Sequence, residues 1–236
     1  NIVLPKTRVV LEDYTGTWCG YCPNVSHAIE EIRMITDDIS VVAIHYGDEM
    51  TISDGIDLIS EFNITGYPTA RINRTMDWSY PYNSTQIESL IEADNSIAIS
   101  IDSHVINMNT LQVQLRVVSE QDLNDHKVIA YLVEDNLIYD QTNYYNFDEN
   151  SYFYGMGNPI VDFVHNDVLR HSFTDALGNS MENPTIALTD NFFNYSFEMD
   201  SGFSQDNLGI VVMIVNQNNT AINSQFSKIN SFKDFN

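Results

Sequence analysis

The hydrophobic periodicity of this chain changes once, near residue 95, and that change limits the architectures open to it. Before that point, Arg8–Tyr14 and Ser40–Tyr46 are β-branched, mostly apolar runs of strand length. Between them Val25, Ala28, Ile29 and Ile32 recur at helical spacing, one face of an amphipathic helix. A second helix is expected over Ser53–Phe62, with Ile56, Ile59 and Phe62 on its inner side. A third should begin at Asn83, with Gln86 placed for a capping box and Ile87, Leu90 and Ile91 facing inward. Strands alternating with helices predict a sheet containing parallel pairs with helices on its faces.

Beyond Asp94 the period becomes two. Ile97, Ile99 and Ile101 alternate with small or polar residues, and so do Leu111, Val113, Leu115 and Val117, which gives one wet and one dry face. Val128–Val133, Asp167–Phe173, Tyr195–Met199, Leu208–Val215 and Ala221–Phe226 extend the pattern. About seven such strands without convincing helices predict a β-sandwich. The expected organisation is therefore two domains, an α/β unit over 1–95 and an all-β sandwich over 96–236. Between the later strands, 136–159 carries seven aromatic residues among Asn, Asp and Gly. A loop so aromatic either packs down onto its own domain or contacts something else, the active site included.

The chain has 33 acidic and 10 basic residues in 236, a formal charge of −23. Such a surface repels nucleic-acid phosphates, and it repels anionic lipid unless an anchor holds it there. Apolar runs such as Ile210–Val215 suit buried strands and fall far short of the ~20 residues of a bilayer span. The chain opens at Asn1 with no methionine and no leader-like segment. That reads as a processed or trimmed chain.

Its only cysteines stand three positions apart in Trp18-Cys19-Gly20-Tyr21-Cys22-Pro23, after the first expected strand and leading into the first helix. A thiolate at a helix N-terminus faces unpaired N–H groups and the positive end of the macrodipole, which lowers its pKa. Cys19, expected to be the more exposed, would attack; Cys22, one turn inside, would resolve the mixed disulfide. A structural disulfide, half of a zinc site and chance pairing remain alternatives, although so short a loop constrains the unfolded chain little and the histidines lack ligand spacing. No metal and no separate cofactor are expected, the redox group being the cysteine pair itself.

The segment 8–94 resembles the thioredoxins and protein disulfide isomerases, whose active site follows a strand as Trp-Cys-Gly-x-Cys. Thr65-Gly66-Tyr67-Pro68-Thr69 matches the turn that carries their cis-proline. The resemblance implies a thioredoxin-like fold and a thiol–disulfide oxidoreductase. Pro68 would then be cis, Tyr67 would offer its backbone to substrate, and Trp18, Gly20 and Tyr21 would line the substrate rim. Asp13, six residues before Cys19, would be the buried proton acceptor for Cys22. The lysine that thioredoxins often carry on the neighbouring strand is replaced by Ile44 and His45. Implied partners are protein or peptide thiols and disulfides and a redox partner protein. The order of the two units, with Lys127–Leu137 and Val168–Gly178, resembles the 28-kDa outer-membrane-protein-related family of Bacteroides-type bacteria. That resemblance implies an extracytoplasmic home, in the periplasm or at the outer membrane or cell surface, with a lipid anchor on the full-length precursor. It leaves room for a surface binding or structural protein that uses the sandwich, with an inert thioredoxin-fold scaffold.

Overall fold

The apolar runs that open the chain become its two central strands, β1 (Val9–Thr15) and β2 (Ile39–His45), paired in parallel with Val10 opposite Ser40 and Asp13 opposite Ala43. The structure is a computed structural model and describes residues 5–235. Parallel strands need a crossover, and helix α1 (Pro23–Arg33) supplies it. Helix α2 (Ser53–Glu61) then leads to β3 (Thr69–Ile72) and β4 (Met76–Trp78), both antiparallel to their neighbours, and helix α3 (Thr85–Ile91) follows.

Every residue of β1 and β2 is buried, so both faces of this sheet are covered. Val9, Leu11 and Val41 face α1 and α3, against Val25, Ala28, Ile29, Ile32 and Ile87. Val10, Tyr14, Val42 and Ile44 face the opposite way, against Leu58 of α2. Two local expectations are corrected. Ile59 and Phe62 of the expected stripe pack inward beside buried Gly55 and Leu58, but Ile56 is 46% exposed. Gly55 sits tightly against the Ile44 side chain, and Ile56, the next residue round the helix, faces outward. The capping box of α3 does not form: the helix begins at Thr85, and Asn83 Oδ1 accepts from the Thr85 N–H at 2.8 Å instead.

The second half is all β. Its strands are β5 (Ile97–Ile106), β6 (Thr110–Ser119), β7 (Lys127–Glu134), β8 (Leu137–Gln141), β9 (Ile160–His165), β10 (Val168–Ser172), β11 (Asn179–Ser180), β12 (Asn191–Glu198), β13 (Leu208–Val215), β14 (Ala221–Lys228) and β15 (Ser231–Lys233). Strand β12 starts four residues before the expected Tyr195. A four-stranded sheet, β12-β6-β5-β15, packs its dry face on β7 and β13. Ile97, Ile99, Ile101, Leu111, Val113 and Leu115 meet Val128, Ala130, Leu132, Ile210 and Val212 there. The alternation seen in the sequence is thus one sheet of a sandwich.

The other sheet of that sandwich is not confined to the second half. The order β14-β13-β7-β10-β2-β1-β3-β4 runs through both halves, joined where Val168 of β10 pairs in parallel with Ala43 of β2. The Ala43 N–H donates to the Asp167 carbonyl at 2.8 Å beside that pair. Strands β7 and β13 are apolar on both faces: Ile129, Tyr131, Val133, Val211 and Met213 point away from the sandwich and share a core with Val10, Tyr14, Val42 and Ile44. Residues 5–95 and 96–235 therefore share a sheet and a core. The molecule is mostly β, with its three α-helices before residue 95 among the described residues.

Candidate functional site

The sequence between β1 and α1 makes a tight turn. The Cys19 N–H donates to the Gly16 carbonyl at 3.0 Å and the Cys22 N–H to the Cys19 carbonyl at 3.2 Å. A disulfide joins Cys19 and Cys22, with Cα atoms 5.4 Å apart. Cys22 is the N-cap of α1, not a residue one turn inside it, and Pro23 occupies the first helical position, where a missing N–H costs nothing. The Asn24 and Val25 N–H groups donate to the Tyr21 and Cys22 carbonyls at 3.4 and 3.0 Å, so the helix end favours a thiolate through the positive end of its macrodipole. The loop after β2 braces the motif from one side. Trp18 Nε1 donates to the Tyr46 carbonyl at 2.7 Å, and the Thr17 N–H donates to Asp48 Oδ2 at 2.9 Å. His45 is a structural partner here, its Nδ1 2.7 Å from Asp48 Oδ2. Burial pushes the Asp48 carboxyl up, but the bonds from His45 and from the Thr17 and Met50 backbone outweigh it and hold the group below its ordinary value.

Cys19 is the more exposed of the two cysteines, as expected, yet both are buried, at 4% and 1%. The aromatic segment between β8 and β9 packs partly on its own half, where Phe153 meets Phe163 of β9 at 6.4 Å, and partly on the first. It lies across the motif. Gln141 Nε2 donates to the Cys19 carbonyl at 2.9 Å, the Thr142 N–H to the Thr17 carbonyl at 2.8 Å, and the Tyr144 N–H to the Gly20 carbonyl at 3.0 Å. The Tyr144 ring fills the space that a side chain at position 20 would need, so glycine is required there by a residue 124 positions away. Further along, Tyr152 stacks on His27 of α1 at 4.2 Å.

The rim of the motif stays open. Trp18 is 45% and Tyr21 54% exposed. Trp18 meets the Tyr67 ring edge-on at 5.3 Å, and Tyr67 stacks on Tyr46 at 5.8 Å. The Tyr67–Pro68 peptide is cis. Tyr21, Pro68, Tyr80, Tyr82 and Tyr145 line one groove of about 550 Å³ beside the disulfide. Cys19, Cys22, Trp18, Gly20, Tyr21, Tyr67 and Pro68 are thus brought to one end of the sheet.

Asp13 lies on β1 beneath α1, 2% exposed, and its Oδ1 has no hydrogen-bond partner. Burial, with a further push from the charge of Asp167, raises its carboxyl to about 8. Asp167 is itself raised to about 6 by burial, although Arg33 Nη2, 2.5 Å from its Oδ1, pulls the other way. His165 at the end of β9 is lowered to about 4 by burial and by neighbouring His45. Arg33, Gln141, Tyr144, His165 and Asp167 were not among the expected site residues. Three left a trace in the sequence: His165 flanks an apolar strand with Asp167 nearby, and Tyr144 belongs to the aromatic segment over 136–159; Arg33 and Gln141 left none.

Fold and site together define a β-rich protein with a disulfide at the head of a helix and an aromatic rim around that turn. The profile of the outer membrane protein Omp28 family matches residues 56–233, more than half of the chain. The chain belongs to that family, and the protein is extracytoplasmic, associated with the outer membrane or cell surface. The matched part begins in α2, so the cysteine motif lies outside it. The chain is also 26% identical over 140 residues to a protein disulfide-isomerase of Schizosaccharomyces pombe, an alignment that covers 58% of this chain and 36% of that protein. It thus spans only about a third of that relative's length. HBP35 of Porphyromonas gingivalis has the same fold over 96% of this chain and 76% of its own, at a TM-score of 0.75 and 17% identity. A domain of the outer membrane lipoprotein Omp28 of Porphyromonas gingivalis aligns over 58% of this chain and 89% of its own, at 17% identity; its TM-score of 0.37 is too low to bear on the fold. Among the described residues no helix is long and apolar enough to cross a membrane.

Proposed function

We propose that this protein is an extracytoplasmic thiol–disulfide oxidoreductase acting on protein or peptide substrates. In this reading the first ninety-odd residues are a thioredoxin-like unit, and an immunoglobulin-like sandwich is built onto their sheet. A lipid anchor on the precursor keeps the protein at the membrane surface. The observation that carries the proposal is the placement of the disulfide: it closes the turn at the head of α1, and Tyr21, between the two cysteines, walls a groove together with Pro68 of the cis peptide.

In the reducing direction, the Cys19 thiolate attacks one sulfur of a substrate disulfide and expels the other as a thiolate. The Cys22 thiolate then attacks Cys19 Sγ, which releases the second substrate thiol and leaves Cys19–Cys22 oxidised. Two electrons pass to the substrate. Asp13 in its ionised form accepts the Cys22 proton, and because burial raises its carboxyl to about 8 that form, and with it the resolution step, grows as pH rises through 8. Oxidation of a substrate dithiol is the same sequence reversed, and a redox partner protein resets the pair. Trp18, Gly20 and Tyr21 form the rim, and the Tyr67 backbone beside Pro68 supports an extended substrate segment. Trapping tests this. Cys22→Ala should accumulate mixed disulfides with client proteins, and Cys19→Ser should abolish both trapping and exchange; full exchange activity in Cys19→Ser would overturn it.

A second reading has its own support. Gln141 and Tyr144 lie over the motif and both cysteines are buried, as in an inert bridge on a surface binding protein that uses its sandwich. Under that reading the Cys22→Ala variant traps nothing.

A further inference from the structure

A second cavity lies on the other side of α1, between that helix, the ends of β1 and β2, and the β8–β9 hairpin with its aromatic loop. Its volume is about 330 Å³, at the lower end of the range of about 300–1,000 Å³ for small-molecule sites. Neither cysteine lines it, but Asp13 does, so a ligand bound there touches the proposed proton acceptor without touching the disulfide.

The walls are apolar and partly aromatic. Ile29 and Met34 come from α1 and the turn after it, Val41 and Ala43 from β2, and Phe153 and Phe163 from the hairpin. Two buried polar side chains at its lining have an atom with no partner: Asp13 Oδ1 and His165 Nε2. Burying a polar group without a partner costs a few kcal/mol, and two at one cavity mark a place where a ligand supplies what the protein does not. Both groups are uncharged at neutral pH, because burial keeps the Asp13 carboxyl protonated and the His165 ring neutral. His165 Nε2 has no partner and, in a neutral ring, can accept a ligand's donor.

The surrounding charges select further. Glu30 and Asp167 stand at the cavity, and the cation nearest them, Arg33, is held by both, at 2.7 and 2.5 Å. Among the described residues no free cation lines the cavity to receive an anionic ligand, and the formal charge of −23 opposes one from a distance. The aromatic walls and the neutral polar atoms favour an uncharged ring.

We propose that this cavity binds a small neutral aromatic molecule bearing a single hydroxyl or N–H donor, of the phenol or indole kind. The ring lies among Phe153, Phe163 and Ala43, and its donor faces His165 Nε2.

The test titrates the full chain with phenol, toluene and benzoate, followed by chemical-shift changes. Phenol and toluene should give saturable shifts at Ala43 and Phe163, and benzoate should bind at least tenfold more weakly than phenol. His165→Phe should weaken phenol at least tenfold and leave toluene unchanged, a split that a general loss of structure cannot produce. Ala43→Leu fills the cavity from the sheet and should remove both neutral probes. Ser26→Phe fills it from the helix and serves if the sheet variant fails to fold. Absence of saturable binding, which would mean water alone occupies the space, overturns the proposal. So does benzoate binding as tightly as phenol, or phenol binding that survives filling in a folded variant.

Discussion

Glu12 and Asp13 are adjacent carboxylates on one strand, 1% and 2% exposed, and their fates differ because a strand sends neighbouring side chains to opposite faces. Glu12 points into the core shared by the two halves. Its Oε1 receives Arg74 Nε at 3.2 Å and its Oε2 receives the Tyr14 hydroxyl at 3.0 Å. Arg74, fully buried, also donates to the Ala176 carbonyl at 3.1 Å and lies over the Phe62 ring. Asp13 points toward α1 and has no partner at Oδ1. One carboxylate is fixed in a bonded network that ties the halves together. The other is left free to exchange a proton. Burial alone thus makes neither a structural nor a reactive group; the partners on that face decide which it is.

The contrast can be broken at Arg74 first, where the largest effect is expected. Arg74→Met leaves Glu12 buried without its cation and should lower unfolding stability by about 3–5 kcal/mol in urea titrations. Adding Glu12→Gln should recover part of that loss. If Arg74→Met costs nothing, the network is not what ties this core.

Asp13→Asn should act in the opposite direction. A carboxyl whose folded pKa is about 8 holds its proton in the native state after the unfolded chain has lost it, near 3.8. Its contribution is therefore fully favourable below pH 3.8 and declines as pH rises through 8. The asparagine variant should gain about 2–4 kcal/mol over wild type at pH 7 and nothing at pH 3. The same variant should slow the Cys22 resolution step by about a hundredfold at pH 9 and flatten its rise through pH 8. Asp167→Asn removes the neighbouring negative charge and should move that rise to lower pH. An unchanged midpoint would mean that Asp167 does not tune Asp13.

The smallest expected effect concerns the covering segment. Gly20→Ala drives a methyl group into the Tyr144 ring and should cost about 1–3 kcal/mol. In a Tyr144→Ala background the same change should cost much less. Tyr144→Ala alone should speed alkylation of reduced Cys19 several-fold, because the ring over Gly20 is gone.

How much of this could be read from the sequence depends on how far apart the partners lie. Strands β1, β2, β5, β6, β7 and β13 and helix α1 were legible, because their periodicity is set by burial over seven to eleven consecutive residues. The cysteine motif and the Tyr67–Pro68 turn were legible as local words. Strands β3 and β4, four and three residues long, are too short to show a period. Strands β8 and β9 are mostly exposed on both faces and read as loop. The joint between β2 and β10 is a single pair of residues, Ala43 and Val168, and nothing in either strand announces it. The roof over Cys19 rests on Gln141 and Tyr144, ordinary polar and aromatic residues whose meaning comes only from where the fold puts them.

The most direct test of a catalytic role is the reduction potential of the Cys19–Cys22 pair, measured by equilibration with graded glutathione or dithiothreitol buffers. An exchange catalyst should give a value between roughly −120 and −270 mV, with its position in that range separating oxidant from reductant. A potential well below about −300 mV would mark a structural bridge and contradict a catalytic role.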